Sequence, residues 1–111
     1  MNHRPERVQK LIQEELGKIM LKELEFPGSL VTITGVEVDK KLEAARVRLS
    51  ILPQSSAKKA LSIAEKYIGK LQYLLTKKMN IKPMPRIKFD IDYGAENASK
   101  IEKILLEEDN K

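Results

Sequence analysis

Apolar residues recur at steps of three and four from Val8 through Leu11, Ile12, Leu16, Ile19 and Met20 to Leu24. That spacing gathers them on one stripe and predicts an amphipathic helix over residues 4 to 25. Pro5 suits a first turn, Gly17 weakens the helix slightly, and Pro27-Gly28-Ser29 ends it. The opposite face mixes Arg7, Lys10 and Lys18 with Glu14 and Glu15. The period then shortens to two. Over residues 30 to 38, Val31 and Ile33 share one parity and Val36 and Val38 the other. A strand keeps one buried face through such a change only if a residue is inserted, so a β-bulge is expected at Thr34-Gly35. Residues 39 to 44 lead to a second strand, 45 to 52. There Ala45, Val47, Leu49 and Ile51 alternate with Arg46, Arg48 and Ser50, the pattern of a half-buried antiparallel strand.

Pro53-Gln54-Ser55-Ser56 reads as a loop with a serine available to cap the next helix. That helix is expected from Ala57 to Lys78, burying Ala60, Leu61, Ala64, Ile68, Leu71 and Leu75. Pro83 and Pro85 hold residues 80 to 85 extended. A third strand follows, with Ile87, Phe89 and Ile91 inward and Lys88, Asp90 and Asp92 outward. Strand, helix, strand implies a crossover and a mixed sheet. Ile101, Ile104 and Leu105 mark a short C-terminal helix, and residues 107 to 111 an acidic, disordered tail. The expected fold is one α+β domain over residues 1 to 106, a two-layer sandwich with helices on one face of a three-stranded sheet. The other face is expected to be at least partly polar.

Charge sharpens this picture. The chain of 111 residues carries a formal net charge of +5, yet residues 57 to 89 hold nine basic side chains against one acid, Glu65. A local balance of +8 leaves −3 for everything else. Concentrated positive charge on a small domain points to a polyanion, most often nucleic acid. On a wheel of about 100° per residue, Lys59, Lys66, Lys70 and Lys77 fall on one line beside the buried arc of the second helix, with Tyr73 next to them. A row of cations with an aromatic neighbour suits a phosphate backbone. The bland alternative, a solvated face, normally pairs lysine with glutamate at i,i+4, and this helix has almost no acids. Lys78, Lys82, Arg86 and Lys88 are candidates to extend the track. Arg4, Arg7 and Lys10 are weaker ones, because acids interleave with them. Gly69 interrupts the helix and marks a possible bend. Lys78 projects onto the buried arc of a straight helix, so the helix either ends before it or bends.

Other chemistry is sparse. The chain has no cysteine, and its one histidine is His3. No signal peptide, thiolate site or bilayer-spanning run is evident, which favours the cytoplasm. Asp90 and Asp92 share a face but have no partner predictably near them for metal or acid-base work; Arg46 and Arg48 are candidate cross-strand partners for them. Ser50, Ser55, Ser56 and Ser62 lack a histidine for a triad. No phosphate-binding or dinucleotide glycine loop occurs. Neither enzymatic activity nor a cofactor or metal is expected. Met20, Met79 and Met84 fit as fillers of core or edge gaps.

The chain resembles the ribosome-binding factor A family across residues 4 to 106. The shared features are Arg7-Val8, Ile12 and Glu15-Leu16; then the run Val31 to Val38 and the run Ala45 to Ser50. They continue with Ala60-Leu61, Leu74-Leu75, Pro85-Arg86-Ile87-Lys88-Phe89 and Asp92. The resemblance implies a type II KH-like fold, α-β-β-α(kinked)-β, whose kink centres on an Ala-x-Gly element in place of the usual glycine loop. Gly69 matches that glycine, but Tyr67 stands where the alanine is expected, and Lys41 stands where an aspartate often precedes Leu42. The implied role is non-catalytic ribosome biogenesis by a monomer: binding 16S rRNA on the 30S subunit during late rRNA processing, in adaptation to cold. The alternatives are a general KH-like nucleic-acid binder and a module docking a ribosomal protein. No Gly-x-x-Gly occurs in the chain, and that loop is what clamps single strands in KH domains. Recognition of folded RNA by charge and shape fits better.

Overall fold

The computed structural model describes residues 4–94. Its elements are α1 (Arg4–Glu23), β1 (Leu30–Val38), β2 (Ala44–Leu52), a single 3-10 turn (Gln54–Ser56), α2 (Ala57–Lys66), α3 (Ile68–Met79) and β3 (Arg86–Ile91). The expected short C-terminal helix and acidic tail lie outside the described residues. The sheet order is β1-β2-β3, with β1 antiparallel and β3 parallel to the central β2. The mixed α+β architecture is therefore the one expected, crossover included.

The bulge sits where the parity changes. Ile33 pairs with Leu49 and Gly35 with Arg48, which leaves Thr34 as the extra residue. Without it, either Val31 and Ile33 or Val36 and Val38 would face the wrong side. The displaced Thr34 hydroxyl donates to Asp92 Oδ2 at 2.7 Å, reaching across the open face beyond the end of β3. The Gly94 N–H donates to the other oxygen of the same carboxylate at 2.9 Å. These two bonds, with a smaller contribution from the Arg48 charge, hold Asp92 below the ordinary carboxylate value of 3.8.

The core lies between the sheet and the helices. Every inward residue of β2 is buried: Ala45, Val47, Leu49 and Ile51. Helix α1 adds Val8, Ile12, Leu16 and Met20, a strict i,i+4 line that Leu24 continues just past its end. Leu11, expected on that stripe, is 44% exposed. It lies about 100° round from Ile12, off the buried line, and is only partly covered. Ile19 has the same offset from Met20 but shares a cleft with Leu74 of α3 and is half-buried.

Glutamine side chains tie the helices to the outer strands. The Val38 N–H donates to Gln9 Oε1 at 3.0 Å. Gln72 of α3 donates to the Pro85 carbonyl at 3.0 Å and accepts the Ile87 N–H at 2.8 Å.

Three local expectations change in detail. The second helix is broken at Tyr67, the first residue of the Tyr67-Ile68-Gly69 element on which the kink is expected, and not at Gly69 itself. Tyr67 has φ −100° and ψ 11°, the bridge region between helix and strand, while Gly69 lies inside α3 with a negative φ. Packing explains the position. The buried residues of α2 are Ala57, Ala60 and Ala64, which let its axis approach the sheet; those of α3 are Leu71 and Leu75, which hold it away. Secondly, no serine side chain caps α2. The 3-10 turn runs directly into the helix, so the Ala57 N–H already donates to Gln54 O. Thirdly, Lys78 is exposed although the break does not move it off the buried arc. It keeps the angular position of Leu71, seven residues earlier and also beyond the break. Its side chain lines the cleft between α1 and α3 with Glu15 and Lys18, the stem covering apolar surface while the charge reaches water.

Two predictions follow from these details. Gly69→Ala should raise stability by about 0.5–1 kcal/mol in chemical denaturation, because the site is regular helix with open space around an added Cβ; a loss would place the special backbone at Gly69 after all. The second concerns acid. The Asp92 interactions contribute stability in full above 3.8 and lose it as pH falls through the lower folded value. Wild type should therefore melt above Asp92→Asn at neutral pH, and the two curves should converge in strong acid.

Candidate nucleic-acid interface

The broken helix divides the lysine line in two. Lys59 and Lys66 stand on α2, Lys70 and Lys77 on α3, and all four are exposed. Tyr73 is 60% exposed beside them, with Lys77 Nζ 5.2 Å from its ring centre. Tyr67, at the break, is 41% exposed and has Lys66 Nζ 5.7 Å from its ring. Each aromatic thus lies under a neighbouring cation, which leaves apolar surface and positive charge side by side.

One lysine has an acidic partner that reading the helix alone does not reveal. Lys70 Nζ lies 3.3 Å from Glu23 Oε2, at the end of α1. Leu74 and Lys78 share a cleft with Glu15, Lys18, Ile19 and Lys22. With Glu23 opposite Lys70, these pairings make α1 and α3 antiparallel neighbours. They also bring Lys18 and Lys22 beside the α3 cations; Lys22 further shares a second cleft with Lys66 and Tyr67. Neither Lys18 nor Lys22 is a candidate from the sequence, because nothing local to α1 ties them to residues some fifty positions later.

The remaining candidates lie elsewhere. Arg7 and Lys10 sit on the first turns of α1, before the part that flanks α3 at Glu15. Lys82 is exposed in the segment before β3. Arg86 and Lys88 alternate with the buried Ile87 and so belong to the open sheet face, away from α2 and α3. Charge on that face is largely balanced. Arg46 pairs with Asp90 at 3.9 Å, and Arg48 pairs with Glu37 of β1 rather than with Asp92. Lys88 lines a shallow depression with Arg46 and Glu37. The excess of positive charge therefore lies on the helical side, where Lys70 is paired with Glu23 and Lys18 with Glu15 at 3.7 Å but Lys59, Lys66 and Lys77 have no acid beside them on α2 and α3 other than Glu65. Among the described residues no group of His, Cys, Asp or Glu is placed to hold a metal ion, and no helix is long and apolar enough to cross a membrane.

A small α+β domain with one broken, lysine-lined helix beside a charge-balanced sheet is the class defined by these features. The family model for ribosome-binding factor A matches residues 4–105, and the chain belongs to that family. It is 30% identical over 109 residues to ribosome-binding factor A of Desulforamulus reducens, covering 96% of this chain and 91% of that protein. The crystal structure of ribosome-binding factor A from Thermus thermophilus superposes with a TM-score of 0.66 at 17% identity, over 78% of this chain and 94% of that one. Coordinates of the Thermus thermophilus factor fitted into the cryo-EM map of a 30S complex give 0.63 at 19% identity, covering 74% and 88%.

Glu23 should compete with phosphate for Lys70. Glu23→Gln is expected to leave stability within about 1 kcal/mol, as for other exposed ion pairs. It should elute from a heparin column at higher salt than Glu14→Gln, which changes the net charge equally but frees no lysine. Equal elution of the two variants would show that the pair does not mask Lys70.

Proposed function

We propose that this protein is a non-catalytic assembly factor that binds the 30S subunit in the cytoplasm, contacts 16S rRNA and promotes its late maturation. The observation that carries this is the exposed, lysine-rich surface of α2 and α3. Family membership supplies the polyanion: the Thermus thermophilus factor of this fold is known in a 30S complex. In this reading Lys59, Lys66, Lys70 and Lys77 contact phosphates across the break, and Lys18, Lys22 and Lys78 widen the contact toward α1. Lys82 continues it toward β3, while Arg86 and Lys88 meet RNA only if it wraps the edge of the sheet. Arg7 and Lys10 would contact a separate segment. Charge and shape dominate such recognition, since no glycine loop lets the backbone approach a single strand. KH-like describes the fold in this reading, and growth in the cold is the condition under which loss of the factor should show.

Sedimentation tests the reading. In a sucrose gradient of cell extract the protein should comigrate with free small subunits and not with translating ribosomes. Reversing Lys59, Lys66, Lys70 and Lys77 to glutamate should abolish comigration. With purified subunits, the logarithm of the binding constant should fall steeply with the logarithm of salt concentration, by about 0.7–0.9 for each phosphate contact. A flat response, or equal affinity for duplex DNA at the same salt, would overturn it.

A further inference from the structure

We propose that the cleft at the helix break is a pocket for one unstacked nucleobase, with Tyr67 as its stacking platform and Glu25 reading the edge of the base. The inference rests on the RNA-binding reading above and deepens it from phosphate contact to base recognition. Where α1 ends against the break, a cleft of about 490 Å³ opens between Pro27, Ile63 and Tyr67. That volume lies in the range of small-molecule sites. Its walls combine three kinds of group that a nucleotide needs. Tyr67 offers an aromatic surface and Ile63 and Pro27 an apolar one. Lys22 and Lys66 supply positive charge at the same cleft for the flanking phosphates. Glu23 and Glu25 both line the cleft; Glu23 is paired with Lys70 at 3.3 Å, which leaves Glu25 as the carboxylate open to a ligand.

The tyrosine is not part of the buried core, its ring is 41% exposed, and the break itself needs only a bridge-region backbone, which any small residue adopts. A large half-exposed ring at the apex of a basic surface is the arrangement that stacks bases in single-strand binders. The carboxylate is equally telling. Glu25 would repel phosphate, so in a phosphate-only site it is a liability. Toward a base it is an acceptor, and it favours bases that present amino groups. Guanine offers two adjacent N–H donors on its Watson–Crick edge, and uracil has no amino group. The expected ligand is therefore an extruded guanosine in otherwise paired RNA.

The test uses the full chain and three RNA hairpins: fully paired, with one extruded guanosine, and with one extruded uridine. Wild type should bind the guanosine hairpin about 5- to 150-fold more tightly than the paired one, the measured range for one stacked base. Tyr67→Phe should keep that advantage. Tyr67→Ala should abolish it with an unchanged salt slope while still melting in one cooperative transition, since the ring is not in the core. Glu25→Gln should erase the preference for guanosine over uridine. Equal binding of all three hairpins by wild type, with a steep salt response, would overturn the base pocket and leave the phosphate reading standing. A pocket advantage retained in Tyr67→Ala would also overturn it. Weak, salt-insensitive binding to every hairpin would overturn both.

Discussion

Everything in this fold follows from the two different pairings of β2. It is antiparallel to β1 and parallel to β3. The antiparallel partner can be reached by a short turn, but the parallel partner requires the chain to cross the sheet and return. That crossing is α2 and α3. Because β2 is apolar on one face only, the crossing must lie on that face, and α1 joins it there. One face of the sheet is thereby covered by helices, and their outer surfaces carry the charge that the core cannot accept. The lysine surface is a consequence of where the crossover has to go.

The break in the crossover reconciles two packing distances. Alanines seat α2 close to the sheet, and leucines seat α3 further out against α1. A straight helix would leave a gap at one end or overlap at the other, and both are costly in a close-packed interior. The same break opens the space beside Tyr67 and places Lys66 and Lys70 on separate helices. Core geometry and surface chemistry are thus set by one residue with an unusual ψ.

The strands, the bulge and the crossover are legible in the sequence, because each rests on parity or spacing within one segment. Val31, Ile33, Val36 and Val38 alone locate the bulge. The lysine line is legible too, since it lies on a single stretch of chain. What escapes depends on pairs distant in the chain. Glu23 meets Lys70 only after α1 packs antiparallel to α3, and Lys18 and Lys22 join the cations by the same route. The sequence points to Gly69 for the bend because glycine permits one. Permission is not cause: the change from alanine to leucine packing falls earlier, and Tyr67 takes the bridge-region backbone. Leu11 shows the converse, an apolar residue at the margin of its helix's buried face that the packing covers only in part.

The glutamine contacts of α1 and α3 have a further consequence. An outermost strand with free N–H and C=O groups is a template on which another chain can add. Gln72 occupies both backbone positions at the start of β3, and Gln9 occupies the last N–H of β1. A side-chain amide has the donor and acceptor of a peptide unit but no chain to continue, so pairing stops there. The helices that carry the basic surface therefore also occupy strand-edge backbone groups at one end of each outer strand.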